Sequence, residues 1–395
     1  MAIEERVLIA GAGPVGLVAA ANLVHGGVPV TVFETGADLS EESRASTFHP
    51  PTLDMLERLG AAQPLIAQGL QAPRFQYRTK RHGVLARFDF GAIADVTAHP
   101  YRVQCEQSKL TRILYEQLRA HANFEMQFGS PVRHVTQRSD GVEVAIEREG
   151  GAETRTGRWL IGADGARSDV RRSLDVDFPG FTWPERFLVV STPFDFHAVI
   201  PDLEAVSYVA DPERWHFLLQ IPGLCRVMFP IAPDESDDLA LRPEFAQSLM
   251  AGIVPGISRY EVAHVTLYKV HQRVAKTFQH GRAFLVGDAA HINNPLGGMG
   301  MNGGIHDAIN LTSRLADVWH GSKPQGELAR YDRQRRLVTL EYIEKQSIQN
   351  KRNLESDGVD FGRSLTEIAA DERRTYEYLL RVSMIASLRR AQELG

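Results

Sequence analysis

The chain has 395 residues, 44 Lys plus Arg, 49 Asp plus Glu, and a formal net charge of −5. Hydrophobic residues make up 43% and charged residues 24%, which is ordinary for a globular protein. No block of like charges stands out, which excludes the usual signature of a nucleic-acid-binding protein. The length predicts a two-part enzyme with a sizeable core.

The cysteines and one uncharged stretch bear on the compartment. Cys105 and Cys225 form neither a CxxC pair nor a disulfide framework, so we expect a reducing cytoplasm and no metal site. Residues 7–24 carry no charge and raise the question of a membrane span or signal peptide. Three glycines and Pro14 interrupt this stretch, and acidic rather than basic residues precede it. A buried strand, turn and helix explain it better.

The predicted elements begin with a buried strand over residues 6–10, a glycine-rich turn, a helix over 15–25 and a strand over 28–33. Strand, helix and strand within about thirty residues predict a parallel βαβ unit. The later elements are helices over 51–59 and 109–120, strands over 132–147 and 153–161, alternating strands over 205–209, 215–221 and 226–231, a buried strand over 283–286 and a long helix over 331–354.

The first motif is the run from Gly11 to Gly16, with Gly13 between them. Its three glycines permit a tight turn, close approach of a pyrophosphate and close packing of the helix on the strand. The helix N-terminus offers free N–H groups to phosphates. Glu34 ends the second strand, 18 residues after Gly16, where a carboxylate can bind an adenosine ribose. This motif predicts nucleotide binding and leaves both NAD and FAD open.

Two further strands end in Gly-Asp turns. Residues 160–168 read LIGADGARS and residues 284–291 read FLVGDAAH. Asp164 and Asp288 would be costly to desolvate at the end of a buried strand unless a ligand satisfies them. The polyhydroxylated ribityl chain of FAD would do so. Residues 295–302, PLGGMGMN, then open a helix whose N–H groups can stabilise negative charge on a reduced flavin.

In their order and spacing, the three motifs resemble those of the class A, single-component flavoprotein aromatic hydroxylases, whose type member is para-hydroxybenzoate hydroxylase. The resemblance covers roughly residues 5–345, and its most specific part is the stretch GDAAHINNPLGGMGMNGGIHD from Gly287 to Asp307. It implies an α/β fold with a Rossmann-like FAD-binding domain of the glutathione reductase type, a mostly antiparallel substrate sheet and C-terminal helices.

The resemblance also implies roles for single residues. It assigns Asp288 to the ribityl hydroxyls and Pro295 to the flavin edge where the C4a-hydroperoxide forms. Arg44 matches an arginine that touches the FAD phosphates and moves with the flavin, and Gln107 matches a glutamine at the pyrophosphate. The expected FAD-binding residues are Gly11, Gly13, Pro14, Val15, Gly16, Glu34, Arg44, Gln107, Asp164, Gly287, Asp288, Pro295, Gly298, Gly300, Met301 and Asn302.

The implied activity is hydroxylation of a phenol-like or hydroxylated N-heteroaromatic ring with NADPH or NADH and O2. The FAD is expected to be non-covalent, because no Cys or His lies in an evident flavinylation motif. A base or a Tyr relay that accepts the substrate hydroxyl proton would help the reaction. The candidate catalytic residues are Pro295 and, on the alternating strands, Tyr208, His216 and Arg226, and Met228 is a further candidate for the substrate face of these strands. Period-two geometry places Trp215 and Phe217 on the opposite face from His216.

Two other functions stay open at this point. One is an FAD oxidoreductase of the same superfold that transfers no oxygen, and the other is a non-catalytic nucleotide-binding protein. The expected partners are an aromatic substrate, O2 and NAD(P)H, with no nucleic acid or membrane, and a homodimer is the assembly to test. The expected domains are FAD-binding residues 1–75, 100–178 and 270–345, substrate-sheet residues 76–99 and 179–269, and a C-terminal helical segment, residues 346–395.

Overall fold

A computed structural model describes residues 2–42, 45–148, 151–211, 213–355 and 359–395. Its strands are β1 (Val7–Ala10), β2 (Val30–Phe33), β3 (Thr47–Phe48), β4 (Leu70–Ala72), β5 (Arg74–Thr79), β6 (Gly83–Asp89), β7 (Arg102–Gln104), β8 (Phe124–Gln127), β9 (Val132–Gln137), β10 (Val142–Arg148), β11 (Gly151–Gly157), β12 (Trp159–Gly162), β13 (Gly180–Thr192), β14 (Val206–Ala210), β15 (His216–Ile221), β16 (Leu224–Ile231), β17 (His264–Val274), β18 (Gln279–His280), β19 (Ala283–Leu285) and β20 (His291–Ile292).

The helices alternate with these strands and dominate the C-terminal third. They are α1 (Pro14–His25), α2 (Pro50–Arg58), α3 (Ala62–Gln68), α4 (Gln107–Leu118), α5 (Asp169–Ser173), α6 (Asp237–Ala240), α7 (Pro243–Ala251), α8 (Met299–Trp319), α9 (Ala329–Val338), α10 (Lys345–Glu355), α11 (Val359–Ala369), α12 (Glu372–Val382) and α13 (Ile385–Glu393). Among the helices of the described ranges, none is both long and apolar enough to cross a bilayer.

The central sheet has the strand order β18-β19-β12-β1-β2-β8. The pairs β1–β2, β1–β12, β12–β19 and β2–β8 are all parallel, and only β18 pairs antiparallel. Strands β1 and β2 are buried along their whole length, as expected for a parallel sheet covered on both faces. The βαβ unit predicted from the first glycine motif is confirmed, with its bounds within two residues.

A second sheet has the order β20-β17-β13-β16-β15-β14-β5-β6 and is antiparallel except for the pair β14–β5. The three alternating segments predicted between residues 205 and 231 are its strands β14, β15 and β16. One face packs against apolar residues of α10, α11 and α12, and the other against α6 and α7. The sheet therefore has an inner face, toward the C-terminal helices, and an outer face.

The long helix predicted over residues 331–354 is interrupted in the structure. Helix α9 passes through a π-helical stretch, Thr339–Glu344, before α10 begins. Single π-helical turns within α-helices are frequent at functional sites. The expected domain boundaries stay predictions. The strands of the second sheet lie within residues 74–89 and 180–274, and β20 adds a short strand next to β17.

Candidate active site

The three glycine motifs meet at one edge of the central sheet. Ala10 pairs with Gly162, and Gly162 pairs with Leu285, so β1, β12 and β19 end side by side. The next residues continue this alignment, because the Ala163 N–H donates to the Ala10 carbonyl at 2.8 Å. The carboxyl edge of a parallel sheet is where open α/β folds bind their ligands.

The first motif has the spacing that a pyrophosphate requires. Gly11 has a φ of +99°, and a Cβ there would lie 2.5 Å from the Ala163 carbonyl oxygen. A Cβ at Gly16 would lie 2.0 Å from the Gly11 carbonyl oxygen, so the turn is closed to larger residues. At Gly13, by contrast, a Cβ would meet no atom within 4 Å. The backbone at Gly13, at the N-terminus of α1, is thus open to a phosphate.

Glu34 lies next to this turn. One carboxylate oxygen accepts the Ala12 N–H at 2.8 Å, and the other accepts the Gly36 N–H at 2.9 Å. A carboxylate oxygen that accepts one bond keeps further lone pairs, so the group can still accept a ribose hydroxyl. The position agrees with the predicted ribose contact, which stays a prediction.

The two aspartates differ in their surroundings. Asp164 accepts the Val170 N–H at 3.0 Å through Oδ2, while its buried Oδ1 has no hydrogen-bond partner in the described part of the chain. Burial raises the pKa of Asp164. Asp288 is exposed, so the argument that it must be desolvated at its strand end was wrong. An exposed carboxylate at this edge is accessible to hydroxyl donors, and its assignment to the ribityl chain stays a prediction.

Hydrogen bonds of the Asn302 side chain fix the turn before α8. Gly297 and Gly298 both have positive φ, and α8 begins at the next residue. The Asn302 side chain accepts the His49 N–H at 2.9 Å and donates to the Thr47 carbonyl at 2.8 Å. It also donates to the Gly298 carbonyl at 2.6 Å. Asn302 therefore connects the turn to β3, and its side chain positions the turn.

Most of the remaining predicted cofactor residues lie at the same edge. Pro295 is half-buried in the turn before α8, and Met301 is buried within the helix. Gly287 has a φ of +58° and faces Val15 across the motifs. Gln107 begins α4, where its N–H donates to the Ala45 carbonyl at 3.0 Å. Arg44, which precedes Ala45, lies outside the described residues. The predicted residues that join these groups at the edge are Pro14, Val15 and Gly300.

A buried charged group beneath this edge was not predicted. Asp307 receives the Arg335 Nε–H at 2.7 Å, contacts His291 Nε2 at 2.7 Å and accepts the Gly287 N–H at 3.2 Å. Burial alone would raise the pKa of Asp307, but His291 and Arg335 hold it below its usual value. The group fixes the Gly-Asp turn of the third motif to α8 and α9.

Arg171 was missed as well. It donates to the Ala289 carbonyl at 2.8 Å and to the Ala166 carbonyl at 3.0 Å, which joins the second motif to the third. Its guanidinium also lies 3.9 Å from the centre of the Phe178 ring. The only sequence signal was its place on the short helix that follows the second Gly-Asp turn.

The inner face of the eight-stranded sheet carries most of the predicted substrate residues. Tyr208 and Met228 belong to the apolar cluster on this face, together with Trp215 and Phe217. Arg226 shares the face and donates to the Ser46 hydroxyl at 3.0 Å, next to β3. Because β3 is bonded to the turn before α8, Arg226 and Tyr208 lie on the side of the sheet that faces the flavin motifs.

His216 is not brought to this group. Its ring packs against Phe229 on the outer face, with ring centres 5.5 Å apart. Trp215 and Phe217 do lie on the opposite face from His216, as predicted. Burial lowers the pKa of His216 to about 4, so the imidazole is neutral near pH 7. A side chain on the outer face does not reach a ring bound at the inner face.

These residues fit FAD. The open backbone at Gly13, the unpartnered oxygen of Asp164 and the exposed Asp288 lie along one edge, as a pyrophosphate and a polyhydroxylated chain require. Within the described ranges, no group of three or more His, Cys, Asp or Glu side chains could hold a metal ion.

Comparison with known proteins agrees with this geometry. Residues 4–346 match the family model described as FAD binding domain. Para-nitrophenol 4-monooxygenase of Pseudomonas sp. strain WBC-3 is 34% identical over 342 residues, 86% of this chain and 84% of that protein. The 6-hydroxy-3-succinoylpyridine 3-monooxygenase HspB of Pseudomonas putida strain DSM 28022 / S16 is 35% identical over 357 residues, 90% of each chain.

The fold is also that of a solved relative. The crystal structure of p-nitrophenol 4-monooxygenase PnpA from Pseudomonas putida DLL-E4 superposes with a TM-score of 0.92 at 30% identity. The superposition covers 98% of this chain and 99% of that one. The chain belongs to the single-component FAD-dependent aromatic hydroxylases of the para-hydroxybenzoate hydroxylase type, and it is an FAD-dependent aromatic monooxygenase.

Proposed function

We propose that this enzyme hydroxylates an ionisable phenol-like or hydroxylated N-heteroaromatic ring held between the inner face of the eight-stranded sheet and the turn at Pro295. NAD(P)H and O2 are the co-substrates. Bound FAD supplies the electron transfer from NAD(P)H and the activation of O2. The observation that carries the proposal is the 3.0 Å hydrogen bond from Arg226 to Ser46, because it joins the polar part of the sheet face to the strand behind the flavin turn.

Arg226 and Tyr208 are the residues that we assign to the ring hydroxyl. A buried guanidinium stabilises a nearby negative charge, so Arg226 favours the ionised hydroxyl, which makes the ring more nucleophilic. Tyr208 stacks on Tyr77 with ring centres 5.1 Å apart, and the Tyr378 hydroxyl donates to the Tyr77 hydroxyl at 3.2 Å. Burial raises the pKa of Tyr77 and brings that of Tyr378 to about 12, so both remain protonated hydrogen-bond donors.

The apolar wall around these groups keeps water from the reaction. Phe187 and Trp215 pack edge to face at 5.4 Å, and Met228 lies beside Tyr268, whose hydroxyl is 3.7 Å from the methionine sulfur. Exclusion of water limits the loss of activated oxygen as H2O2. The proposal places Pro295 on the flavin side of this space. His216 has no role in the proposal, since it lies on the outer face.

The names of the two relatives support the substrate class. One acts on para-nitrophenol and the other on 6-hydroxy-3-succinoylpyridine. The first is a phenol and the second a hydroxylated pyridine, so the two cover both ring classes in the proposal.

The test is a substrate screen with the purified holoenzyme. Phenols, hydroxybenzoates and hydroxypyridines are added one at a time, and oxidation of NADH and of NADPH is followed together with the mass of the products. We expect at least one ring to stimulate NAD(P)H oxidation and to gain one oxygen atom. Stimulated oxidation that yields only H2O2 for every ring would contradict the proposal and favour an oxidoreductase without oxygen transfer.

The assembly and the location are further parts of the proposal. We propose a homodimer in the cytoplasm. Light scattering of the purified holoenzyme and fractionation of cells that express the chain test the two statements separately. A monomer, or the protein in a membrane fraction, would contradict the respective statement without affecting the reaction.

A further inference from the structure

Arg102 is a buried cation to which the described residues supply no anion. Its side chain on β7 is 2% exposed, and its guanidinium lies 4.7 Å from the centre of the Phe75 ring and 5.2 Å from that of Phe90. Its Nε and Nη1 have no hydrogen-bond partner in the described part of the chain. Within the same ranges, the ion pairs closer than 4.0 Å include none to Arg102.

Two other buried arginines have partners that Arg102 lacks, although Arg335 also has one nitrogen, Nη1, without a hydrogen-bond partner in the described ranges. Arg335, fully buried, pairs with Asp307 at 2.7 Å, and Arg171 donates to two backbone carbonyls. A buried guanidinium that lacks such partners is costly. The two aromatic faces beside Arg102 offset part of this cost through cation–π attraction. The rings leave the guanidinium N–H groups without a hydrogen-bond acceptor. A negatively charged oxygen would be the strongest acceptor for these groups.

The position of Arg102 relates it to the proposed substrate region. His49, whose Nε2 is 2.8 Å from the Gly297 carbonyl, has its pKa lowered by burial and then by the charge of Arg102. The same charge opposes the effect of burial on the pKa of Tyr77 and of Tyr378. The geometry gives the same location, because Phe75 and Phe90, on which the guanidinium lies, belong to the apolar cluster of the inner face that also contains Tyr77 and Tyr208.

We propose that Arg102 binds the negatively charged oxygen of an ionised ring substrate, a phenolate or a carboxylate, and so selects ring anions over neutral rings. This inference rests on the proposed function, which places the ring between the flavin turn and the inner face. The relatives' substrates have this chemistry: the nitro group makes para-nitrophenol an acidic phenol, and the succinoyl group carries a carboxylate.

The experiment measures equilibrium binding to the oxidised holoenzyme through changes in the flavin absorbance spectrum, without NAD(P)H. Two matched pairs separate the two sources of the anion. 4-Hydroxybenzoate and 4-hydroxybenzamide differ in the carboxylate, and 4-nitrophenol at alkaline pH and 4-nitroanisole differ in the phenolate. The wild-type enzyme is expected to bind the anion of at least one pair about tenfold or more tightly than its neutral partner.

Arg102→Met should weaken binding of that anion by about ten- to hundredfold and change binding of its neutral partner less than about twofold. The matched control is Arg74→Met on β5 of the eight-stranded sheet, where Arg74 is half exposed and pairs with Glu204. This variant is expected to bind both ligands like the wild type. Because no turnover is involved, the result is independent of whether the enzyme hydroxylates any ring.

Two results would overturn the proposal. One is a wild-type enzyme that does not prefer the anion of either pair, and the other is an Arg102→Met variant that weakens both members of a pair equally. If Arg102→Met does not fold, Arg102→Lys replaces it, because lysine keeps the charge and loses the planar donors. Arg102→Lys should weaken anion binding by about three- to tenfold. Unchanged anion binding in this variant would assign Arg102 to core packing on Phe75 and Phe90.

Discussion

Arg335 donates its Nε–H to the Asp307 carboxylate at 2.7 Å, and both side chains are completely buried. The second oxygen of Asp307 contacts His291 and accepts the Gly287 N–H, so one carboxylate holds the third glycine motif to two helices. Removing one partner of a buried ion pair leaves the other charge uncompensated. The geometry of the Gly287 turn, at the carboxyl edge of the central sheet, therefore depends on the buried Asp307–Arg335 ion pair.

Asp307→Asn is expected to lower the free energy of unfolding by about 3–5 kcal/mol, because the Arg335 charge loses its carboxylate. The Gly287 turn should also loosen, which weakens FAD binding. Urea denaturation and titration of the apoprotein with FAD measure the two effects. The control is Glu116→Gln, in an exposed pair with Arg119, which should cost less than about 1 kcal/mol. Equal stabilities for the two variants would show that the buried pair is not the support that we describe.

Asp288→Ala tests the ribityl assignment. Each hydrogen bond to a charged group contributes about 1.5–3 kcal/mol, so loss of the carboxylate should weaken FAD binding by about ten- to hundredfold or more. The variant is expected to lose its yellow colour during purification. Asp140→Ala, an exposed acid in the turn between β9 and β10, serves as the control and should remain yellow. An Asp288 variant that retains FAD with unchanged affinity would remove Asp288 from the site.

His216→Leu tests both the position and the protonation of this histidine. The folded-state pKa is about 4 and the unfolded value is near 6.5, so the unfolded state binds more protons between these pH values. His216 alone should thus lower the stability of the wild type by about 1.4 kcal/mol per pH unit as the pH drops from 6.5 to 4. This part of the loss should be absent in the variant.

The buried His49 and His306, whose pKa values are also lowered, are present in both proteins, so the difference isolates His216. Urea titrations at several pH values measure it. Hydroxylation of a phenol at neutral pH should be retained in the variant. A variant with normal stability and no activity would contradict this and indicate that His216 is catalytic.

The turns of the glycine motifs could be predicted from the sequence because such motifs are local. The close approach of Gly11 to Ala163 leaves no room for a Cβ, so this position requires glycine. A Gly-Asp pair after an apolar run likewise indicates the end of a strand. Asp307 and Arg335 are 28 residues apart and on different helices, and no periodicity connects them. Such a pair becomes visible only when the helices are packed.

In the substrate sheet, too, the local features could be predicted from the sequence, but the long-range packing could not. Alternation predicted that His216 and Phe217 point to opposite faces, which the structure confirms. The alternation does not indicate which face lies toward the flavin motifs, because that depends on how β14, β15 and β16 pack against the C-terminal helices. The burial of Arg102 could not be predicted for a related reason, since it results from packing on Phe75 and Phe90, more than ten residues away in the chain.

The most direct test of oxygen transfer is turnover under isotopically labelled dioxygen. The holoenzyme is supplied with NAD(P)H and with each ring that stimulated oxidation in the screen, 4-nitrophenol first, and the products are analysed by mass spectrometry. The account predicts one labelled oxygen atom in the ring product from labelled O2, and none when only the water is labelled. A ring product whose new oxygen comes from water, or NAD(P)H oxidation that leaves every ring unchanged, would contradict it.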